Sequence, residues 1–157
     1  FATSIAQILG GILGAAIVWL AYLPHWAETE DKPAKLGIFC TAPAIRNYPA
    51  NFLCEFIATF FLMFVIRMIF SNKVGAIPPG VGPYIVGILI WALGMSLGGP
   101  TGYAMNPARD LGPRIAHAIL PIAGKGGSDW AYAWVPVFGP LAGAFAAYVV
   151  AMALHVF

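Results

Sequence analysis

The chain has 157 residues, 61% of them hydrophobic and 9% charged, with a mean hydropathy of +0.83. Soluble domains carry roughly 25% charged residues, so a water-soluble globule is excluded and a membrane protein is indicated. The 8 basic and 6 acidic residues give a net charge of +2 without any run of like charge that would neutralise phosphates, so no nucleic acid is expected as a partner.

Phe1 opens directly into apolar sequence, without a basic n-region or a small-residue cleavage site, so no signal peptide is expected and further sequence is predicted ahead of Phe1. At about 20 apolar residues per crossing, the apolar clusters define four spans. The first, residues 5–23, is uncharged, with small residues at Gly10, Gly14 and Ala15. Trp19, Tyr22 and Trp26 gather at its far end, where amphipathic rings favour the interface. Residues 25–49 carry Glu28, Glu30, Asp31, Lys32, Lys35, Arg46 and three prolines, and read as a polar connection outside the lipid. Cys40 and Cys54 stand alone, without CxxC spacing or a cluster of ligating side chains, so neither a disulfide framework nor a metal site is expected.

The second span, 51–70, is apolar except for Glu55 near its start and Arg67 near its end. Arg67 can snorkel to the headgroups. Glu55 lies a turn inside, where an intramembrane carboxylate must find donors, and a structural role is preferred over proton carriage. The turn 71–83 carries Lys73, Pro78, Pro79 and three glycines. Arg67 and Lys73, without an acidic partner, place it in the cytoplasm, so the third span, 84–98, runs outward.

Residues 98–127 are too apolar for an ordinary loop and too broken by Gly99, Pro100, Gly102, Pro107, Gly112 and Pro113 for a spanning helix. Irregular backbone at membrane depth is tolerated only where it lines a water-filled cavity or is buried in protein, so a re-entrant segment and a pore or binding site are predicted. Asn106 is a favoured N-cap and Pro107 suits the first helical position. A half-helix is predicted over 106–117, roughly 16 Å long at about 1.5 Å per residue, or half of a core about 30 Å thick. Its positive end repels cations at the midplane, and the Asn106 carboxamide offers donors to a neutral solute. Gly102, Tyr103 and Ala104 are expected to be extended, with their carbonyls lining one side of the path. The last span, 130–157, holds Gly139 and Gly143 in GxxxG spacing, extended by Ala147, which suits close helix approach. Trp130, Tyr132 and Trp134 at its start read as an interfacial belt, and His117 and His155 as structural residues. No repeat of 20 to 50 residues is visible. An intramembrane enzyme would need a nucleophile with a base or a metal cluster, and Glu55 supplies neither, so no catalytic residues and no cofactor are expected.

The stretch TGYAMNPARDLGPR, Thr101 to Arg114, resembles the second Asn-Pro-Ala signature of the aquaporin superfamily (major intrinsic protein), and more closely that of its glycerol-facilitator branch. Glu55 early in a span, Gly94-x-x-x-Gly98 and the opening Trp-Val-Pro-Val-Phe-Gly-Pro of the last span, Trp134 to Pro140, agree with it. The resemblance covers nearly the whole chain and corresponds to the family's helices three to six with the second half-helix. The first Asn-Pro-Ala motif and helices one and two are not found in it. It implies an all-α integral membrane fold, a right-handed helical bundle with a re-entrant half-helix, in the plasma (inner) membrane. It also implies a homotetramer in the lipid bilayer with one pore per subunit, passing glycerol, water and similar small polyols and excluding ions and protons.

Residue by residue, the resemblance implies that Asn106 is the pore asparagine, with Pro107 and Ala108 completing the motif, and that Arg109 is the selectivity-filter arginine. An always-charged fork of donors at a constriction can bind two adjacent hydroxyls and keep out cations. Asp110 marks the glycerol branch and is expected to brace the loop; a plain ion pair of Arg109 with Asp110 is the competing reading. Gly94 falls where strict water channels carry a histidine and is expected to leave room for carbon. Tyr103 falls where glycerol facilitators have phenylalanine, and adds a hydroxyl. Ile90 belongs to the opposite apolar wall, and Glu55 is expected to meet the N–H groups of the re-entrant loop. Two alternatives stay open: a water- or peroxide-selective channel on the same fold, favoured by Tyr103 and disfavoured by Gly94, and a non-conducting partner or scaffold subunit, since one half-helix cannot close a pore whose halves meet at the midplane.

Overall fold

A computed structural model of the chain describes residues 2–73, 77–78 and 80–156. Gly75 and Pro79 of the predicted cytoplasmic turn, and Phe157 at the end of the last predicted span, lie outside the described residues. The described helices are α1 (Ala2–Ala21), α2 (His25–Glu28), α3 (Lys32–Gly37), α4 (Tyr48–Ile69), α5 (Val81–Thr101), α6 (Pro107–Ile119) and α7 (Trp134–Ala153). Four of them, α1, α4, α5 and α7, are long and apolar enough to cross a membrane. The 13 residues of α6 reach only about 20 Å, short of a core about 30 Å thick.

Two close helix contacts organise the bundle, and glycine permits both. Along α7, a Cβ at Gly139 would lie 2.9 Å from Cβ of Glu55, and one at Gly143 would collide with the Phe56 carbonyl. Ala147 and Ala151 continue this buried stripe, so the backbone of α7 rests directly on α4. Between α1 and the half-helix α6, a Cβ at Gly112 would lie 2.7 Å from the Ile8 carbonyl, and one at Gly11 3.0 Å from the Ala108 carbonyl.

On the first span, Gly10 and Gly14 face open space, while Gly11 and Ala15 face α6. The helical period sets residues 11 and 15 on one stripe, and only the position of the partner decides which stripe is used.

Other boundaries move for local reasons. The third span continues past Gly98 to Thr101, through Pro100, and ends where left-handed Gly102 donates its N–H to the Gly98 carbonyl at 2.8 Å. The polar connection contains α2 and α3, the latter capped by Asp31 accepting from the Ala34 N–H at 3.2 Å. This connection folds back onto the bundle. Trp26, expected at the interface, is 3% exposed, donates its indole N–H to the Trp19 carbonyl at 2.9 Å and stacks on Phe39. Tyr132 of the expected aromatic belt is also buried, with the Arg46 guanidinium 5.5 Å from its ring centroid; Trp130 and Trp134 remain exposed. An amphipathic ring leaves the interface when a folded connection covers it.

Candidate functional site

The site begins with one buried carboxylate. Glu55 on α4 is fully buried; its Oε1 accepts from the Thr101 hydroxyl at 2.6 Å and the Ala104 N–H at 3.0 Å, and its Oε2 from the Met105 N–H at 2.8 Å. The Thr101 hydroxyl closes α5, and the Ala104 and Met105 N–H groups belong to the five residues between α5 and α6, which have no helical partner for them. A carboxylate at this depth is tolerated because its lone pairs are occupied.

The same bonds determine the path of the loop. Gly102 (φ 76°), Tyr103 (φ 41°) and Met105 (φ 47°) are left-handed, which overturns the expectation that residues 102–104 are extended. Left-handed backbone costs about 1–2 kcal/mol for a residue with a side chain, whereas each hydrogen bond to a charged group contributes about 1.5–3 kcal/mol. The two loop N–H bonds to Glu55, about 3–6 kcal/mol together, therefore offset two strained residues at about 2–4 kcal/mol, and an extended strand would lose them. The carbonyls of Gly102, Tyr103 and Ala104 accept no hydrogen bond among the described residues, so they remain available as acceptors.

Asn106 then starts α6. Its Oδ1 accepts from the N–H groups of Ala108 (2.9 Å) and Arg109 (3.4 Å), with Pro107 at the first helical position. With the oxygen committed to the backbone, the amide NH2 is turned outward, and Asn106 is exposed. Arg109 is exposed as well, and its guanidinium makes no hydrogen bond among the described residues.

One residue further on, Asp110 faces the opposite way. The competing ion pair of Arg109 with Asp110 does not form: Asp110 pairs with Arg114, one turn along α6, at 2.8 Å, both side chains being 0% exposed. Oδ2 of Asp110 also accepts from the Thr41 N–H (2.8 Å) and hydroxyl (2.7 Å). Arg114 donates to the carbonyls of Thr41 (2.8 Å), Ser128 (2.8 Å) and Asp129 (3.1 Å). All five guanidinium donors point into a surround of oxygens, which is the condition for burying a charged pair. At the far end of α6, Lys125 donates to the carbonyls of His117, Ala118 and Leu120 at 2.7–2.9 Å, complementing the negative end of the helix. His117 itself is buried, with Nδ1 2.9 Å from the Ser128 hydroxyl and its ring edge-on to Phe39.

The aromatic part of the site differs from expectation in one respect. The ring of Tyr103 lies along α5, so that a Cβ at Gly98 would be 2.8 Å from its Cδ1 and one at Gly94 3.3 Å from its Cζ. Gly94 does not leave an empty space for solute carbon; that space seats the Tyr103 ring. The hydroxyl bonds nothing among the described residues, and Tyr103 is 40% exposed. Ile90, one turn before Gly94, is exposed on the same helix.

The structure thus gathers Glu55, Gly94, Gly102, Tyr103, Ala104, Asn106 and Arg109 around one loop, and sets Asp110 behind it. Thr41, Arg114, Ser128 and Lys125 were missed by sequence reasoning. The spacing of Asp110 and Arg114 is a helical pair that could have been found; Thr41, 69 residues from Asp110, carries no local signal. Cys40 beside it is buried and free. Burial pushes its thiol up to about 12, against the pull of Arg114, so it is an inert packing group. No cluster of potential metal ligands exists among the described residues.

Helices that cross a membrane, with a pinned loop and a half-helix folded back between them, define a multi-pass membrane protein of the re-entrant half-helix class. The family model described as major intrinsic protein matches residues 2–151, and the chain belongs to that family. It is 57% identical over 138 residues to the probable glycerol uptake facilitator protein of Thermotoga maritima, covering 88% of this chain and 58% of that one. It is 60% identical over 140 residues to glycerol uptake facilitator protein 3 of Lactiplantibacillus plantarum, covering 89% and 57%. Among solved structures, the aquaglyceroporin from Plasmodium falciparum matches with a TM-score of 0.78 at 28% identity, over 92% of this chain and 59% of that chain. The chain therefore spans a little under three-fifths of the length of these relatives.

Proposed function

We propose that this chain forms part of a passive channel for small uncharged solutes, glycerol and water foremost, in the plasma membrane, with conduction requiring no covalent step and no cofactor. The observation that carries the reading is the division of labour at the start of α6: Asn106 and Arg109 are exposed with their donors free, while Asp110 and Arg114 are buried and saturated. A hydroxylated solute exchanges water for the Arg109 fork, the Asn106 amide and the unoccupied carbonyls of residues 102–104, while its carbons pass the ring of Tyr103 and Ile90. Cations are repelled by Arg109 and by the positive end of α6. The names of the 57% and 60% identical relatives support glycerol as the solute.

The test is Arg109→Val in the full-length protein reconstituted in vesicles. Glycerol uptake and proton exclusion are both expected to change, because a charged fork is replaced by an apolar side chain of smaller reach. Unchanged selectivity would remove Arg109 from the filter.

A second reading, a channel preferring water or peroxide, is favoured by one observation: Tyr103 occupies the space above Gly94 and narrows the path. A glycerol permeability far below that of water in the same vesicles would select it. A homotetramer is proposed as well, supported by the open face at Gly10 and Gly14 on α1, where a neighbouring helix can approach closely. The mass of the detergent-solubilised particle tests it.

A further inference from the structure

The connection between α1 and α4 reaches the filter at Thr41. Thr41 is buried and meets the segment carrying Tyr103 and Arg109 from both sides. A Cβ at Gly102 would lie 3.3 Å from Cβ and Cγ2 of Thr41, so its side chain is packed on the left-handed turn that leads into Tyr103. Its N–H and hydroxyl donate to Oδ2 of Asp110 at 2.8 and 2.7 Å, and Asp110 directly follows Arg109.

We infer that Thr41 is a positioning residue for the filter: by bridging Gly102 and Asp110 it sets the separation of Tyr103 and Arg109, and with it the ability to pass a polyol. The inference rests on the reading of Tyr103 and Arg109 as the filter. The surroundings hold Thr41 in place independently of its hydroxyl. The Ala44 N–H donates to the Pro100 carbonyl at 3.0 Å, Arg46 pairs with Asp129, and the Thr41 carbonyl accepts from Arg114. Removing the hydroxyl therefore shifts the first turn of α6 without releasing the connection. A single oxygen can cross a filter of altered shape, whereas a polyol must meet the Arg109 donors while its carbons pass Tyr103, so glycerol responds more than water.

The experiment measures glycerol and water permeability on the same vesicles of full-length protein, comparing wild type with Thr41→Val and Thr41→Ser. For Thr41→Val the glycerol-to-water ratio is expected to fall about three- to tenfold, a change of the size that loss of one ordinary hydrogen bond gives. Thr41→Ser, which keeps the hydroxyl, is expected to retain the wild-type ratio. A ratio unchanged or raised in Thr41→Val, or a Ser variant that falls as far as Val, overturns the inference. Should Thr41→Val fail to reach the membrane, Thr41→Ala replaces it with the same expectation. If both fail while Ser accumulates, the hydroxyl serves folding and the positioning role is refuted. A wild-type protein that passes no glycerol overturns the polyol reading itself, a result distinct from normal wild-type conduction with an unmoved ratio in the variant.

Discussion

Replacing Glu55 by glutamine isolates the interaction that shapes the loop, because it keeps the side-chain volume and removes the charge and one acceptor. In the native protein three donors converge on the carboxylate, at 2.6, 3.0 and 2.8 Å. A glutamine has one oxygen to offer, so at best two donors keep a partner, and its NH2 group is set against the third. A buried donor left unpaired costs about 1–3 kcal/mol, and each surviving bond weakens by about 1 kcal/mol when the acceptor loses its charge. The total is about 3–5 kcal/mol, comparable with the cost of keeping Tyr103 and Met105 left-handed at about 1–2 kcal/mol each. The loop is then no longer held, and both the carbonyl row and the start of α6 lose their setting. The expected result is a clear drop in thermal stability in detergent together with loss of most glycerol uptake in vesicles. If Glu55→Gln melts and conducts like the wild type, the loop is held by something other than this carboxylate.

Two further outcomes follow from burial and close packing. Gly143→Ala drives a Cβ into the Phe56 carbonyl of α4 and is expected to cost about 1–3 kcal/mol by overpacking; thermal melts against the wild type measure it, and an unchanged melting temperature would refute the assigned face of α7. The Cys40 thiol, pushed up by burial from 9.0 to about 12, is protonated at neutral pH in the fold. It favours the folded state fully below pH 9, and this contribution is lost as the pH rises through about 12. In a Cys54→Ser background, maleimide labelling at pH 8 should therefore require denaturation, and rapid labelling of the folded protein would contradict the burial of Cys40.

Sequence alone determined the elements whose causes are local. Spans follow from apolar runs of a length set by the bilayer, and the half-helix from an Asn-Pro start and from breakers that forbid a full crossing. The identities of the exposed donors, Asn106 and Arg109, were also in the motif. What the tertiary structure decided were relations between segments far apart in the chain. The left-handed turns within residues 102–105 depend on Glu55, about fifty residues earlier, because the two backbone hydrogen bonds to its carboxylate exceed the preference of the backbone. Which glycines of α1 pack depends on where α6 lies, since a helix offers several small-residue stripes and its partner selects one. The seat of Tyr103 over Gly94 and Gly98, and the hold of Thr41 on Asp110, have no periodicity or spacing to betray them. They are decided by the folding back of a polar connection over the half-helix, where every buried donor and acceptor must find a partner.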